Sequence, residues 1–177
     1  MSIIDKYSLA IHDVNVELGW WDDKNRCLET VVQMIITEIA EATEGARKNI
    51  KDDHLPDRKM FEVEMADTMI RLLDLGGKFV WSHTYETDSL ALDKLRQCTE
   101  VGARMFALSA MAVDLGRSLD CGKRASRKYS ILVNAILEIA SVHKLDLWGA
   151  VRDKVAYNKT RADHKRSARK ATGGKRF

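Results

Sequence analysis

Apolar residues recur at intervals of three and four along almost the whole chain, strict apolar–polar alternation is scarce, and proline occurs once, at Pro56. Helix interiors exclude proline and half-buried strands alternate, so the pattern predicts an all-α fold, a bundle of amphipathic helices. With 177 residues, 45% of them hydrophobic and 31% charged, the chain can bury a core without disulfide or metal staples and is too apolar for wholesale disorder. One domain over residues 1–177 is the expectation. Residues 1–6 lack the basic head and apolar run of a secretory signal, and no apolar stretch is long enough for a bilayer, which predicts a cytoplasmic protein. Cys27, Cys98 and Cys121 are odd in number and far apart. They point to neither a disulfide framework nor a thiolate zinc site, and they read as small buried hydrophobes.

The periodicity divides the chain. A first helix over 2–18 carries Ile3, Tyr7, Ile11, Val14 and Leu18 on one face, with Ser2 as N-cap and Gly19 as stop. His12 lies on it and, as a lone helical histidine, reads as a surface or satisfied core residue. Trp20 and Trp21 follow in a polar turn. Two adjacent indoles cannot share one buried helix face, so one packs inward and the other is available to a planar ligand. Trp20 is the better candidate for stacking, with core packing an equally good reading. A second helix over 26–50 and a third that starts after Asp57 as N-cap flank a loop at 52–56; Leu28, Val32, Ile35, Ile39 and Ala46 face inward on one, Phe61, Met65, Met69, Leu72 and Phe79 on the other. Gly76-Gly77 and 82–85 read as a break. Residues 88–119 then form one long helix or a kinked pair, whose Leu92, Leu95, Met105, Leu108, Met111, Ala112 and Leu115 read as packing surface for the core or for a second subunit. Helices over 124–143 and 147–158 complete the chain, followed by a basic tail.

The second and third helices carry the chemistry. Glu38 and Glu41 are spaced i, i+3, and so are Glu64 and Asp67. That spacing stacks each pair on one side of its helix, and an antiparallel hairpin can face the pairs across an oxygen-only pocket suited to Mg²⁺, with Mn²⁺ as a substitute. Glu38 falls beside Val31, Met34 and Ala42 at the edge of the apolar face, where an unpaired carboxylate is costly and a cation would resolve the cost. The competing reading is a solvated stripe, Glu64, Asp67, Arg71 and Asp74, with an Asp67–Arg71 pair at i, i+4. Two acid pairs on consecutive helices joined by a short loop tip the balance to metal.

From Lys159 onward eight basic residues, Lys159, Arg161, Lys165, Arg166, Arg169, Lys170, Lys175 and Arg176, face one acid, Asp163. Such a stretch attracts phosphate, whether of a nucleotide or of a nucleic acid. The chain has no Gly-x-Gly-x-x-Gly, Walker loop, His-Glu-x-x-His or Glu-x-x-His, which removes Rossmann, P-loop, zincin and ferritin-like readings, and no recognisable nucleophile setting for covalent catalysis.

Glu38-x-x-Glu41 followed by Glu64-x-x-Asp67 resembles the signature of the MazG-like all-α nucleoside triphosphate pyrophosphohydrolases. His12 with Gly19-Trp20-Trp21-Asp22, Lys154-x-x-Tyr157-Asn158-Lys159-Thr160-Arg161, and the closing Gly173-Gly174-Lys175-Arg176-Phe177 are similar to further segments of that family, in the same order. The resemblance covers roughly the first eighty residues and the last thirty. It implies a helical bundle that cleaves a nucleoside triphosphate between its α and β phosphates, with Mg²⁺ on Glu38, Glu41, Glu64 and Asp67. Substrate contacts would come from His12, Trp20, Lys154, Tyr157, Asn158 and Arg161, and a homodimer or higher homo-oligomer is implied. Residues 82–144 depart from the compact pattern and read as a helical insertion.

Residues and resemblance agree on metal-assisted hydrolysis, in which cations neutralise the triphosphate, one carboxylate helps generate the attacking hydroxide, and Lys154, Asn158 and Arg161 hold phosphate or sugar. The rival from another class is a helical scaffold or nucleic-acid-binding protein, its acids solvated and its tail on a phosphate backbone. It lacks an ordered aromatic–basic platform.

Overall fold

The computed structural model describes residues 1–85 and 89–174. Seven helices build the body: α1 (Ile3–Glu17), α2 (Leu28–Lys48), α3 (Met60–Lys78), α4 (Leu90–Gln97), α5 (Val101–Gly116), α6 (Gly122–Val142) and α7 (Leu147–Thr160). A 3₁₀ turn (Ala162–His164) and a short α8 (Arg166–Lys170) follow. The all-α expectation holds: among the described residues the only β pairing is an isolated antiparallel bridge between Lys51 and Lys59 at the α2–α3 connection. No helix among them is long and apolar enough to cross a membrane.

The central element is α3, which packs against α1, α2, α6 and α7. Its composition explains the position. Val63, Met65, Ala66, Met69, Leu72, Leu73 and Leu75 are all buried, so α3 is apolar nearly all round, as a helix surrounded by others must be. Gly76-Gly77 does not break it, contrary to the sequence reading. Both residues lie inside the helix because neighbours press on them: a Cβ at Gly76 would sit 2.6 Å from the Tyr129 ring, and one at Gly77 would sit 2.5 Å from Ser8 O and from His12 Cβ. The glycines buy close approach to α6 and α1 at the cost of helix propensity.

Several boundaries follow their caps. Ser2 caps α1, its hydroxyl accepting from Asp5 N while Asp5 accepts from Ser2 N, and Gly19, at φ 79°, ends that helix. Asp57 is not the cap of α3. Lys59 holds that position, and the turn before it is organised by Asp52, whose carboxylate accepts from the backbone of His54 and Leu55. The 88–119 segment divides into α4 and α5 at 98–100, where Cys98 and Glu100 are extended; Asp88 lies outside the described residues. α6 starts two residues earlier than expected and α7 runs two further.

The apolar surface of α4 and α5 is not an outward one. Leu92, Leu95, Met105, Leu108, Met111, Ala112 and Leu115 are buried in the chain's own core, where α5 packs against α2 and α6. Cys27 and Cys121 are exposed and Cys98 half-buried, so the expectation of buried cysteines fails: all three stand at helix termini, where the chain turns outward.

Candidate metal and phosphate site

The α2–α3 hairpin brings the acids together. One oxygen each from Glu38, Glu41 and Glu64 lies within 4.8 Å of the other two. Asp67 opens onto the same cavity but is held elsewhere, by Lys154 Nζ at 2.8 Å. The cavity, about 420 Å³, is walled by acids from α2 and α3, by Lys154 and Asn158 of α7, by Arg161, by Trp20 and Arg26 of the α1–α2 connection, and by Val31 and Met34 beside Glu38. The apolar edge assigned to Glu38 is therefore real, and only 6% of that residue is exposed.

The polar stripe of α3 is not a solvated face. Arg71 does not pair with Asp67; its Nε reaches across to Glu38 at 2.5 Å. Asp74, 7% exposed, accepts from Trp21 Nε1 at 2.9 Å and bonds His12 Nδ1 at 2.7 Å. Three neighbours of α3 thus supply partners: α2 to Arg71, α7 to Asp67, α1 to Asp74. Glu64 is the exception. It is 7% exposed, yet its carboxylate makes no hydrogen bond or ion pair among the described residues.

That orphaned carboxylate sets the electrostatics. Burial, then the neighbouring charge of Asp67, pushes Glu64 up to about 8 from an ordinary 4.5, with Glu38 and Glu41 adding to the rise and Lys154 opposing it. Burial also raises Asp67, to about 6, because Lys154 offsets only part of that cost and Glu38 adds repulsion. On Lys154 burial works against the charge, but Asp67 and Glu64 prevail and hold it above its usual value. An oxygen-only donor set, crowded and short of positive charge, fits a hard divalent cation. The fit is best for Glu38, Glu41 and Glu64; Asp67 stands outside that group, with Oδ2 on Lys154.

Other expected contacts divide. Trp20 lines the cavity and Trp21 is the inward-packing indole, tied to Asp74 and covered by Arg26, whose guanidinium carbon lies 4.7 Å from the ring centroid. One face of Trp20 is taken by Arg169, at 3.8 Å from the centroid, and His164 meets it edge-on. His12 and Tyr157 do not line the cavity. His12 stands behind Asp74, and Tyr157 packs on His54, which does line it. Lys154, Asn158 and Arg161 do line it, Arg161 being clamped by Asp163. The tail is not a free basic arm: Arg166 bonds Asp22, and Arg169 donates to the carbonyls of Leu18 and Gly19. Lys175, Arg176 and Phe177 of the closing motif lie outside the described residues.

Arg26, Asn15, His54 and His164 also line the cavity, beyond the residues that the sequence points to. Asp74 had a signal, since it continues the Glu64–Asp67–Arg71 stripe by one turn. Arg26 had none, because its role depends on how the loop folds. No protein-family model, curated protein or solved structure matches the chain.

Proposed function

We propose that the protein is a Mg²⁺-dependent nucleoside triphosphate pyrophosphohydrolase of the MazG-like kind, cleaving between the α and β phosphates to release a nucleoside monophosphate and pyrophosphate. The observation that carries the reading is Glu64, a buried carboxylate with no hydrogen-bond or ion-pair partner among the described residues, grouped with Glu38 and Glu41 on a cavity that Lys154, Arg161 and Arg26 also line. Mg²⁺ held by these acids would neutralise triphosphate charge and acidify a water. The chain's own residues do the rest. Lys154 and Arg161, held in place by Asp67 and Asp163, present fixed positive charge to phosphoryl oxygens. Asn158 lines the cavity and has a side-chain oxygen buried without a partner, an acceptor that a sugar hydroxyl would satisfy. Glu41, exposed at the rim and free of ion pairs, is the carboxylate open to the attacking water's proton. Trp20 offers an indole to the base. In this reading the enzyme works in the cytoplasm as a homo-oligomer.

Incubation with a panel of nucleoside triphosphates and Mg²⁺, with products identified by mass, tests it. Monophosphate plus pyrophosphate is expected. Release of orthophosphate, or tight binding of an oligonucleotide with no turnover, would overturn it.

A further inference from the structure

Arg26 is the least satisfied cation on the cavity wall. Its Nη1 donates to Trp20 O at 2.8 Å and its plane lies over Trp21, so the guanidinium is held in one orientation before any ligand arrives. Yet its Nε is buried and has no hydrogen-bond partner, and no carboxylate among the described residues forms an ion pair with it. Asp74, the acid that bears on it most, is already engaged by His12 and Trp21. Lys154, Arg71 and Arg161, which share the cavity, each have a carboxylate. Burial pushes Arg26 below its ordinary pKa; Asp74 resists, while Arg71 and Arg169 add repulsion. A buried N–H without an acceptor, on a cation beside other cations, is stabilised most by an anionic oxygen, which satisfies the donor and offsets the charge together.

We propose that Arg26, which lines the cavity, is a binding residue for a phosphoryl oxygen of the substrate, a small turn of the side chain bringing its unpartnered Nε–H to that oxygen. The inference rests on the hydrolase reading only for the choice of phosphate as the anion. Neither the acid pairs nor the Lys154–Arg161 segment contains Arg26, so this assignment adds a residue to the site. Arg26 also ties the Trp20 backbone down, and an anion that completes its bonding would fix the stacking indole at the same time.

The test is calorimetric binding of sodium tripolyphosphate, without metal, to the parent protein, to Arg26→Gln and to Arg26→Lys, with uridine and adenosine as phosphate-free controls. Arg26→Gln should weaken tripolyphosphate binding by about tenfold or more, and Arg26→Lys by less, because a point charge survives where the fork is lost. Nucleoside binding should be unchanged. In the parent protein the Arg26 Nε–H resonance should shift on tripolyphosphate addition, a readout that needs no variant to fold. Equal tripolyphosphate affinity in Arg26→Gln, an unmoved Nε–H resonance, or a loss confined to nucleoside binding would each overturn the inference. Because the titration measures no turnover, the two readings fail separately: Arg26-dependent tripolyphosphate binding by a protein that cleaves no nucleoside triphosphate sinks the hydrolase reading alone, and tripolyphosphate affinity unchanged in Arg26→Gln sinks this one alone.

Discussion

Lys154, at 3% exposure, and Asp67 form the most buried ion pair at the site. Removing one member leaves the other charged and dry, so Lys154→Met should cost about 3 kcal/mol or more in stability, read by denaturant unfolding. Lys154→Arg should cost far less. Glu41 is the opposite case. Exposed and unpaired, it can become Gln at a cost of at most about 0.5 kcal/mol, yet the change should remove most of the stabilisation that Mg²⁺ confers, because a ligand is lost. If Glu41→Gln kept the full Mg²⁺-induced rise in melting temperature, Glu41 would not be a ligand.

The raised carboxyls give a pH signature whose sign is opposite to ordinary acid denaturation. Glu64 rises from 4.5 to about 8 in the fold, so between those values the folded chain binds more protons than the unfolded one. Its contribution is therefore fully present below about 4.5 and is lost as pH climbs toward 8. Asp67 acts in the same sense over the narrower window from 3.8 to about 6. In EDTA, the Glu64→Gln variant should gain stability over the parent as pH rises through this range, and the parent's Mg²⁺-induced shift should grow with pH as the cation displaces protons. A parent-minus-variant difference that stays flat from acid to pH 8 would contradict the placement of Glu64.

Among the elements, α3 decides most. Gly77→Ala should destabilise by about 1–3 kcal/mol, because its Cβ meets the Ser8 carbonyl and His12. Since His12 bonds Asp74, the same change should disturb the Trp21 environment, visible in its fluorescence. The contrast shows what a sequence can reveal. The acid pairs, the edge position of Glu38 and the Ser2 cap were legible because each depends on spacing within one helix. Gly76-Gly77 was misread because propensity marks a break, whereas the reason for the pair lies in Tyr129 and Ser8, far along the chain. Likewise the competing solvated-stripe reading pairs Arg71 with Asp67 four residues away, whereas the fold pairs it with Glu38 of α2. The exposed cysteines, and Arg26, depend on turns that periodicity does not describe.

For the whole molecule, the Met-rich face of α4 and α5 belongs to the interior of one chain. Leu108→Ala should thus cost about 2–5 kcal/mol and leave the mass measured by light scattering at permissive temperature unchanged; dissociation at constant fold stability would return that face to a subunit interface. α2, α3 and α7 converge on a cavity lined by Glu38, Glu41, Glu64 and Asp67 and by Lys154, and the proposed function places a divalent cation and a triphosphate there. The most direct measurement is Mg²⁺-dependent pyrophosphate release from nucleoside triphosphates by the parent protein and by Glu64→Gln, side by side, with unfolding curves to show both are folded. Release by the parent, none in EDTA, and a loss of about two orders of magnitude or more in the variant are expected. Equal release by both proteins would contradict the proposed function.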